Sequence, residues 1–349
     1  MKHAAFAVPG NLQTPTGGYA YDRRIIAELE RLGWHIELVD VGDGFPWPTE
    51  ATLATAHTRL LKVPSGWPIA VDGLAFGVLP EVASELASHN PLLALVHHPL
   101  ALEWGLSADQ ADILQRSERA ALASTQGVIV TSPATARIVA SDYGVPLSRI
   151  TVARPGNDSV PRARGSQVGP PHLLSVGAVV PRTGFDVLVS ALATLSNLPW
   201  RLTIAGDLTR DATAAARLQS QIARHGLTGR IAVLGAVSSE QLARLYHTAD
   251  LFVLSSYFEG YGMAYSEALA HGLPVIGTKA GAIAETVPHE AGVLVTAGDP
   301  AALAEALGRV ISDSALRLRL AEAAFAAARQ LPTWPQSGLI FSGALERLT

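Results

Sequence analysis

The stretch from residue 251 to 276 constrains the fold more than any other part of the chain. It holds two apolar runs, 251–254 and 274–276, joined by a glycine-broken turn and a helix that a Gly-Leu-Pro sequence must end. Strand, glycine-rich turn, helix and strand form the unit that places a ligand at the carboxyl end of a parallel sheet. Two carboxylates bracket the turn: Glu259 precedes it and Glu267 lies within the helix.

The same alternation of apolar runs and helical stretches extends through the whole chain. The predicted strands cover residues 4–8, 35–39, 69–72, 92–96, 127–130, 150–153, 172–176, 201–205, 231–234, 251–254, 274–276 and 292–295. Helical periodicity separates most of these strands. This pattern predicts an α/β protein with a doubly wound parallel sheet in each half, and ligand sites at the carboxyl ends of the strands.

Residues 155–171 have the composition of a linker, rich in proline and glycine. We therefore predict an N-terminal Rossmann-like domain over residues 1–165 and a C-terminal one over 170–330. The remaining residues, 331–349, are predicted to form a C-terminal helix that packs back on the N-terminal domain. A length of 349 residues agrees with two domains of ordinary size.

Composition narrows the range of functions. The net charge of −4 makes nucleic acid an unlikely partner, and no apolar run is long enough to predict a transmembrane segment. The absence of cysteine excludes disulfides, thiolate metal sites and a thiol nucleophile. A cytoplasmic protein is the simplest expectation.

The first half offers two candidate sites at strand ends. Gly17 and Gly18 lie where the first strand passes into a helix, and backbone N–H groups at such a helix start suit a phosphate. Asp40 follows the second strand at the place of a ribose ligand, or is an ordinary strand-end carboxylate. His97 and His98 follow a buried strand. Adjacent residues point to opposite sides, so a substrate contact by one histidine is favoured over a shared metal.

With these motifs in order, the chain resembles a family-4 retaining glycosyltransferase of the GT-B fold, the group-1 glycosyl transferase type. The most specific match is the pair Glu259 and Glu267 with seven residues between them, set between two buried strands. The supporting matches are Thr16-Gly17-Gly18, His97, Pro155-Gly156-Asn157-Asp158, the block from Gly177 to Gly184, and Gly281-Ala282-Ile283-Ala284-Glu285. The resemblance implies two Rossmann-like domains facing a central cleft.

The resemblance also implies a reaction: transfer of a hexose from a UDP- or GDP-sugar to an acceptor hydroxyl, with retention of configuration, no metal and no cofactor. Glu259 would contact the donor sugar and Glu267 the ribose. His97 would lie near the anomeric centre, with His98 as the backup assignment. The remaining implied donor contacts are Gly17, Gly18, Gly260, Tyr261, Gly262 and Met263, with Gly235 and Val237 at the nucleobase.

The chain departs from the family at the diphosphate. Where the pattern has an arginine and a lysine, this chain has Ala178 and Thr183, so Arg182 is the candidate replacement cation and Thr183 a neutral donor. Stabilising the departing diphosphate is the main electrostatic task of such an enzyme. No Asp-x-Asp motif occurs in the sequence, which agrees with metal-independent chemistry.

Two other functions stay open at this point. The missing cations would also fit a sugar-nucleotide-binding pseudoenzyme, and the fold would fit a GT-B glucan or disaccharide synthase or phosphorylase. The acceptor is undetermined, whether small molecule, glycan or lipid. Trp47, Trp67 and Trp104, in the least motif-like parts of the first half, favour a partly apolar or aromatic one.

Overall fold

The computed structural model describes residues 2–348, in which strands and helices alternate. The strands are β1 (Lys2–Val8), β2 (Trp34–Asp40), β3 (Ile69–Asp72), β4 (Leu92–Val96), β5 (Gly127–Val130), β6 (Ile150–Val152), β7 (His172–Val176), β8 (Arg201–Ala205), β9 (Ile231–Val233), β10 (Leu251–Val253), β11 (Val275–Thr278) and β12 (Gly292–Val295). The helices are α1 (Gly17–Arg31), α2 (Glu50–Leu60), α3 (Gly73–Phe76), α4 (Pro80–Leu86), α5 (Ala108–Ala123), α6 (Pro133–Tyr143), α7 (Phe185–Ala193), α8 (Ala212–Arg224), α9 (Ser239–Thr248), α10 (Met263–Ala270), α11 (Ile283–Thr286), α12 (Pro300–Ser312), α13 (Ser314–Ala328) and α14 (Trp334–Glu346).

The chain divides into two compact units, each with its own core. Unit 1 comprises residues 2–156 and 332–348, and unit 2 comprises residues 157–331. The division falls early in the linker-like segment, before the predicted boundary at residue 165. The last helix, α14, belongs to unit 1, where it packs along α1 and stacks Phe341 on Phe6 with 6.0 Å between the ring centroids.

Unit 1 is built on a parallel six-stranded sheet with the order β2-β1-β3-β4-β5-β6. The strands β3, β4 and β5 are buried along their whole length, as continuous apolar runs in a sheet covered on both faces must be. The chain order reverses between β1 and β3. In sheets of this type the crevice at such a reversal, outside the carboxyl ends of the strands, is where ligands bind.

Unit 2 repeats the plan with the order β12-β11-β10-β7-β8-β9, again all parallel. This is the doubly wound order of the Rossmann fold, and its reversal lies between β7 and β10. The segment after β7 and the segment after β10 therefore meet at the same edge of the sheet. Between residues 2 and 348, no helix is both long enough and apolar enough to cross a membrane.

Candidate functional site

The turn between β10 and α10 is the centre of the candidate site in unit 2. Gly262 ends the turn with a φ of +85°, and a Cβ there would lie 2.8 Å from the ring of Tyr265, so the position requires glycine. The helix then begins at Met263 with no side chain capping it. Because the first N–H groups of a helix have no intrahelical partner, this end is suited to an anionic or hydroxylated ligand.

Glu259 is held by groups on both sides of the turn. Ser256 Oγ donates to its Oε1 at 2.7 Å, and Arg182 Nη1 lies 3.5 Å from its Oε2. Its own carbonyl accepts from the N–H of Ala282 at 2.9 Å, which ties the glycine block after β11 to the turn. The carboxylate therefore has a defined place while its side chain stays partly exposed to solvent.

Glu267 lies one turn into α10 and is engaged by Tyr246 of α9. The Tyr246 hydroxyl donates to Glu267 Oε2 at 2.8 Å. Burial raises the pKa of Glu267 to about 6; the hydrogen bond from Tyr246 opposes this rise, and the negative charge of Asp158 adds to it. A buried carboxylate with an assigned donor on one oxygen leaves the other oxygen for a ligand hydroxyl.

Arg182, on the segment after β7, reaches the same turn. Its Nη1 donates to the Phe258 carbonyl at 2.8 Å and lies close to Glu259, as described above. The guanidinium is thereby held at the turn that leads into α10.

The hydrogen bond of the Thr183 side chain does not agree with its predicted role as a neutral donor to the diphosphate. The residue is buried, and its hydroxyl donates to the Ala178 carbonyl at 2.7 Å. A threonine hydroxyl has one proton, so this bond leaves none for a diphosphate oxygen. In this structure Thr183 instead braces the glycine segment that follows β7.

The predicted nucleobase residues follow β9, at the edge of the same sheet. Gly235 is buried, has a φ of +73° and accepts at its carbonyl from the N–H of Gly206 at 2.9 Å, whereas Val237 is half-buried. Of the other predicted residues near the turn, Gly260 and Tyr261 are buried and Met263 is half-buried.

In unit 1 the predicted residues gather at the reversal point of the sheet. Gly17 and Gly18 form the first turn of α1, whose start is capped by Thr16 Oγ1 accepting from the Tyr19 N–H at 3.2 Å. A Cβ on Gly18 would lie 3.5 Å from the ring of His97. The glycine pair and His97, which are 79 residues apart in the sequence (97 minus 18), are therefore neighbours.

His97 rests on two buried carboxylates that the sequence analysis did not single out. Its Nε2 lies 2.9 Å from Asp22 Oδ1 and 3.4 Å from Asp72 Oδ2. Burial opposes a charge on the ring, but both carboxylates outweigh it and raise the pKa of His97 to about 10. The nitrogen of His97 and one oxygen of each carboxylate all lie within 4.8 Å of one another.

His98, the backup assignment, does not share this arrangement. Its Nε2 lies 3.8 Å from Glu103 Oε2, and neither Asp22 nor Asp72 pairs with it. The difference follows from strand geometry, because consecutive side chains at a strand end point to opposite sides.

The sequence does contain signals that could have identified Asp22 and Asp72 as site residues. Asp22 has the helical spacing of Ile25, Ile26 and Leu29, so a carboxylate falls on the apolar face of α1. A charge on a core-facing position usually has a dedicated partner. Asp72 ends an apolar strand, and its Oδ1 also caps α3 by accepting from the Leu74 N–H at 2.7 Å. For Tyr246 and Ser256, nothing in the sequence marked a link to the two glutamates.

The fold defines the class of protein first. The chain has the GT-B fold: it aligns over 99% of its length with 99% of the sucrose-phosphate synthase structure from Thermosynechococcus elongatus, with a TM-score of 0.83 at 21% identity. It aligns equally over 99% of its length with all of the Anabaena protein HepE in complex with UDP-glucose, with a TM-score of 0.77 at 20% identity.

The sequence of unit 2 is similar to known glycosyltransferases. Residues 157–327 match the model of the glycosyl transferases group 1. A D-inositol 3-phosphate glycosyltransferase from Xylanimonas cellulosilytica is 33% identical over 230 residues, 61% of this chain and 55% of the relative. A glycogen synthase from Mycobacterium tuberculosis is 33% identical over 188 residues, 52% of this chain and 44% of the relative. The chain thus spans about half the length of the curated relatives it matches.

Proposed function

We propose that this protein transfers a hexose from a nucleotide-diphosphate sugar to an acceptor hydroxyl, with retention of configuration and without a metal ion. The observation that carries the proposal is the turn before α10, where two anchored carboxylates flank an uncapped helix start. A nucleotide sugar offers two diols and an anionic diphosphate, which match those three features in kind and in order.

The two glutamates have different tasks in this proposal. Glu267 accepts hydrogen bonds from the ribose hydroxyls through the oxygen that Tyr246 leaves open. Glu259 accepts from hydroxyls of the sugar, and Ser256 with Arg182 fixes its rotamer before the donor arrives. Preorganised acceptors of this kind cost no reorganisation at the moment of reaction.

The diphosphate is assigned to the helix start of α10 and to Arg182. The backbone of Gly262 and Met263 supplies neutral donors, and the guanidinium supplies charge. The departing phosphate oxygen accepts the proton of the acceptor hydroxyl, as the family resemblance implies, so no protein nucleophile is needed. The donor contacts of His97, Gly17 and Gly18 that the resemblance implies stay predictions.

UDP-glucose is the first donor to test, because a structural neighbour holds that compound. For the acceptor, we propose a partly apolar molecule that contacts exposed aromatic rings of unit 1. Trp47 and Trp104 are 47% and 50% exposed. Trp67 is not available in the same way, because its ring stacks on His3 with 4.6 Å between the ring centroids.

The test is turnover with UDP- and GDP-sugars across a panel of small, glycan and lipid acceptors, with products identified by mass spectrometry. The anomeric configuration of the product is read by NMR, and the assay is repeated with EDTA. We expect a retained configuration and full activity with the chelator. An inverted product, or activity that only a divalent cation restores, would contradict the proposal.

Arg182→Ala tests the diphosphate assignment, with the exposed Arg210→Ala as the matched control in the same unit. Loss of one strong donor to a developing oxyanion costs about 10²–10³ in kcat. We expect a loss of that size for Arg182→Ala and wild-type turnover for Arg210→Ala. Equal activity of the two variants would remove Arg182 from the mechanism.

A second candidate function is nucleotide-sugar binding without turnover. The buried, bonded hydroxyl of Thr183 and the small side chain of Ala178 favour it, because neither residue supplies a cation. Calorimetric binding of UDP or GDP, together with no product from any donor, would establish it. Including inorganic phosphate in the acceptor panel separates a transferase from a phosphorylase.

A further inference from the structure

Two buried carboxylates, those of Asp22 and Asp72, lie at one imidazole nitrogen, His97 Nε2, and this arrangement has a large desolvation cost. Asp22 is 0% exposed and Asp72 is 2% exposed. Removing an ionised carboxylate from water costs several kcal/mol unless it is paired. A single carboxylate would suffice to orient a histidine, as in the triad of serine hydrolases. The second carboxylate therefore adds something other than orientation.

The contacts fix the protonation of the inward nitrogen. Carboxylate oxygens accept hydrogen bonds, so the nitrogen facing two of them, His97 Nε2, must carry hydrogen. Asp72 cannot rotate away, because its other oxygen accepts from the Leu74 N–H. The His97 and Tyr21 rings pack edge to face at 84°, with 5.2 Å between the ring centroids, and Gly18 lies beside the His97 ring.

The outward nitrogen is the one a ligand can reach. Among residues 2–348, no hydrogen-bond partner faces His97 Nδ1, and the side chain is 20% exposed. With Nε2–H directed inward, a neutral ring would present Nδ1 as an acceptor, and a charged ring would present it as a donor. The second carboxylate favours the charged ring.

We propose that Asp22 and Asp72 are positioning residues that hold His97 as an imidazolium, with Nδ1–H as a cationic hydrogen-bond donor to an oxygen of the bound substrate. His97 then cannot act as a general base. The ligand's identity rests on the proposed glycosyl transfer, but the state of the ring does not.

The electrostatics of the cluster agree with this geometry. The charged groups that act on the ring are Asp22 from α1 and Asp72 at the end of β3. Burial raises the pKa of Asp22 to about 7; His97 opposes this rise and Asp72 adds to it. Asp22 Oδ2 is buried and has no hydrogen-bond partner among the described residues, so it is the oxygen that can carry a proton. Burial also raises the pKa of Tyr21 well above its usual value, which keeps that neighbour neutral.

The first test needs no substrate. In protein labelled with 15N at histidine, the His97 signals are assigned as those that disappear in His97→Gln, and the ring is followed by NMR from about pH 6 to 10. We expect both ring nitrogens to stay protonated at about pH 8, where an ordinary histidine with a pKa of about 6.5 is neutral. Asp72→Asn should shift the His97 titration down by more than one pH unit, whereas Glu30→Gln on the exposed face of α1 should not.

A neutral His97 ring at about pH 8 in the wild type would overturn the proposal. So would a stoichiometric change of its signals on adding Zn²⁺ or Mn²⁺, because the cluster would then be a metal site. Thermal melting of Asp22→Asn and Asp72→Asn checks folding. If one variant fails to fold, the other still carries the test, because removing either carboxylate is expected to lower the pKa of His97.

The pH dependence of kcat then distinguishes a positioning role of Asp72 from a purely structural role. With an active donor in hand, kcat of Asp72→Asn should stay close to the wild-type value below the His97 titration midpoint that NMR gives for this variant. It should fall about tenfold one pH unit above that midpoint, because about nine-tenths of the rings are neutral there. A loss of the same size at every pH would overturn the proposal, since a structural defect does not follow the titration of the ring. If no donor turns over, the NMR result still stands, and the failure belongs to the proposed function alone.

Discussion

Tyr246→Phe is the substitution that most directly tests the link between fold and donor binding. The ring is fully buried and stacks on His271 at 10°, with 5.0 Å between the centroids, so phenylalanine fills the same space. Only the hydroxyl that donates to Glu267 at 2.8 Å is lost. The variant therefore removes one hydrogen bond to a carboxylate and leaves the packing in place.

The size of the effect follows from that bond. A hydrogen bond to a charged group contributes about 1.5–3 kcal/mol, which corresponds to about one to two pH units. The bond from Tyr246 lowers the pKa of Glu267, so its loss raises that pKa from about 6 to about 7–8. The carboxylate proposed to accept from the ribose is then largely protonated at neutral pH, so nucleotide binding should weaken.

The assay is the affinity for UDP or GDP by calorimetry between about pH 5 and 9. Wild-type binding should fall as the pH drops through about 6, where Glu267 takes up a proton. For Tyr246→Phe the fall should begin one to two pH units higher, giving roughly 3- to 25-fold weaker binding at about pH 6.5 and nearly equal binding above about pH 9.

The control is Tyr265→Phe, which also removes a buried tyrosine hydroxyl from unit 2. That hydroxyl donates to the Leu254 carbonyl and not to a carboxylate. It should lower stability without moving the pH profile of binding. The reasoning fails if the Tyr246→Phe profile is parallel to that of the wild type with the same midpoint. It also fails if both tyrosine variants shift the midpoint equally.

Two further predictions concern stability. Burial raises the pKa of Glu118 in the folded protein to about 8. Because folding then favours the protonated carboxyl group, the free energy of unfolding is highest below the ordinary pKa of about 4.5 and declines as the pH rises toward 8. Glu118→Gln should therefore be more stable than the wild type by up to about 4 kcal/mol at pH 8 and by less than about 1 kcal/mol at pH 5, measured by urea unfolding, while the exposed Glu81→Gln shows no such difference. A Cβ on Gly206 would lie 1.8 Å from the Gly177 carbonyl oxygen, so Gly206→Ala should cost more than about 3 kcal/mol in thermal unfolding. Gly229→Ala, with no atom within 4 Å of its Cβ, should be near neutral, and equal stability of the two glycine variants would contradict the clash.

The departures from the family pattern acquire a physical explanation in unit 2. The Thr183 hydroxyl donates to the Ala178 carbonyl, so the glycine segment after β7 is stabilised by a neutral hydrogen bond. The family pattern has a charged side chain at that position. Arg182 is a cation at the turn, and its bond to the Phe258 carbonyl holds it there. Because the proposed diphosphate site takes its positive charge from Arg182, the Arg182→Ala variant is the decisive test of that site.

The sequence by itself determined the class of fold and the two carboxylates at the turn between β10 and α10. Alternating apolar runs and helical stretches predicted two parallel sheets, because buried parallel strands must be continuously apolar. The segment 251–276 located Glu259 and Glu267, since glycine and proline leave few conformations for a strand, turn and helix over so short a span. The GT-B fold is confirmed by the structural neighbours.

Tertiary structure alone decided what surrounds those residues. Tyr246 contacts Glu267 because α9 packs against α10, and Ser256 contacts Glu259 because the turn folds back on itself. The periodicity of apolar residues along the chain does not predict such contacts. Asp22 and Asp72 meet at His97 because the order of the strands brings α1, β3 and β4 to one edge of the sheet. The spacing of residues along the chain fixes which face a side chain occupies, whereas the order of the strands fixes which faces meet.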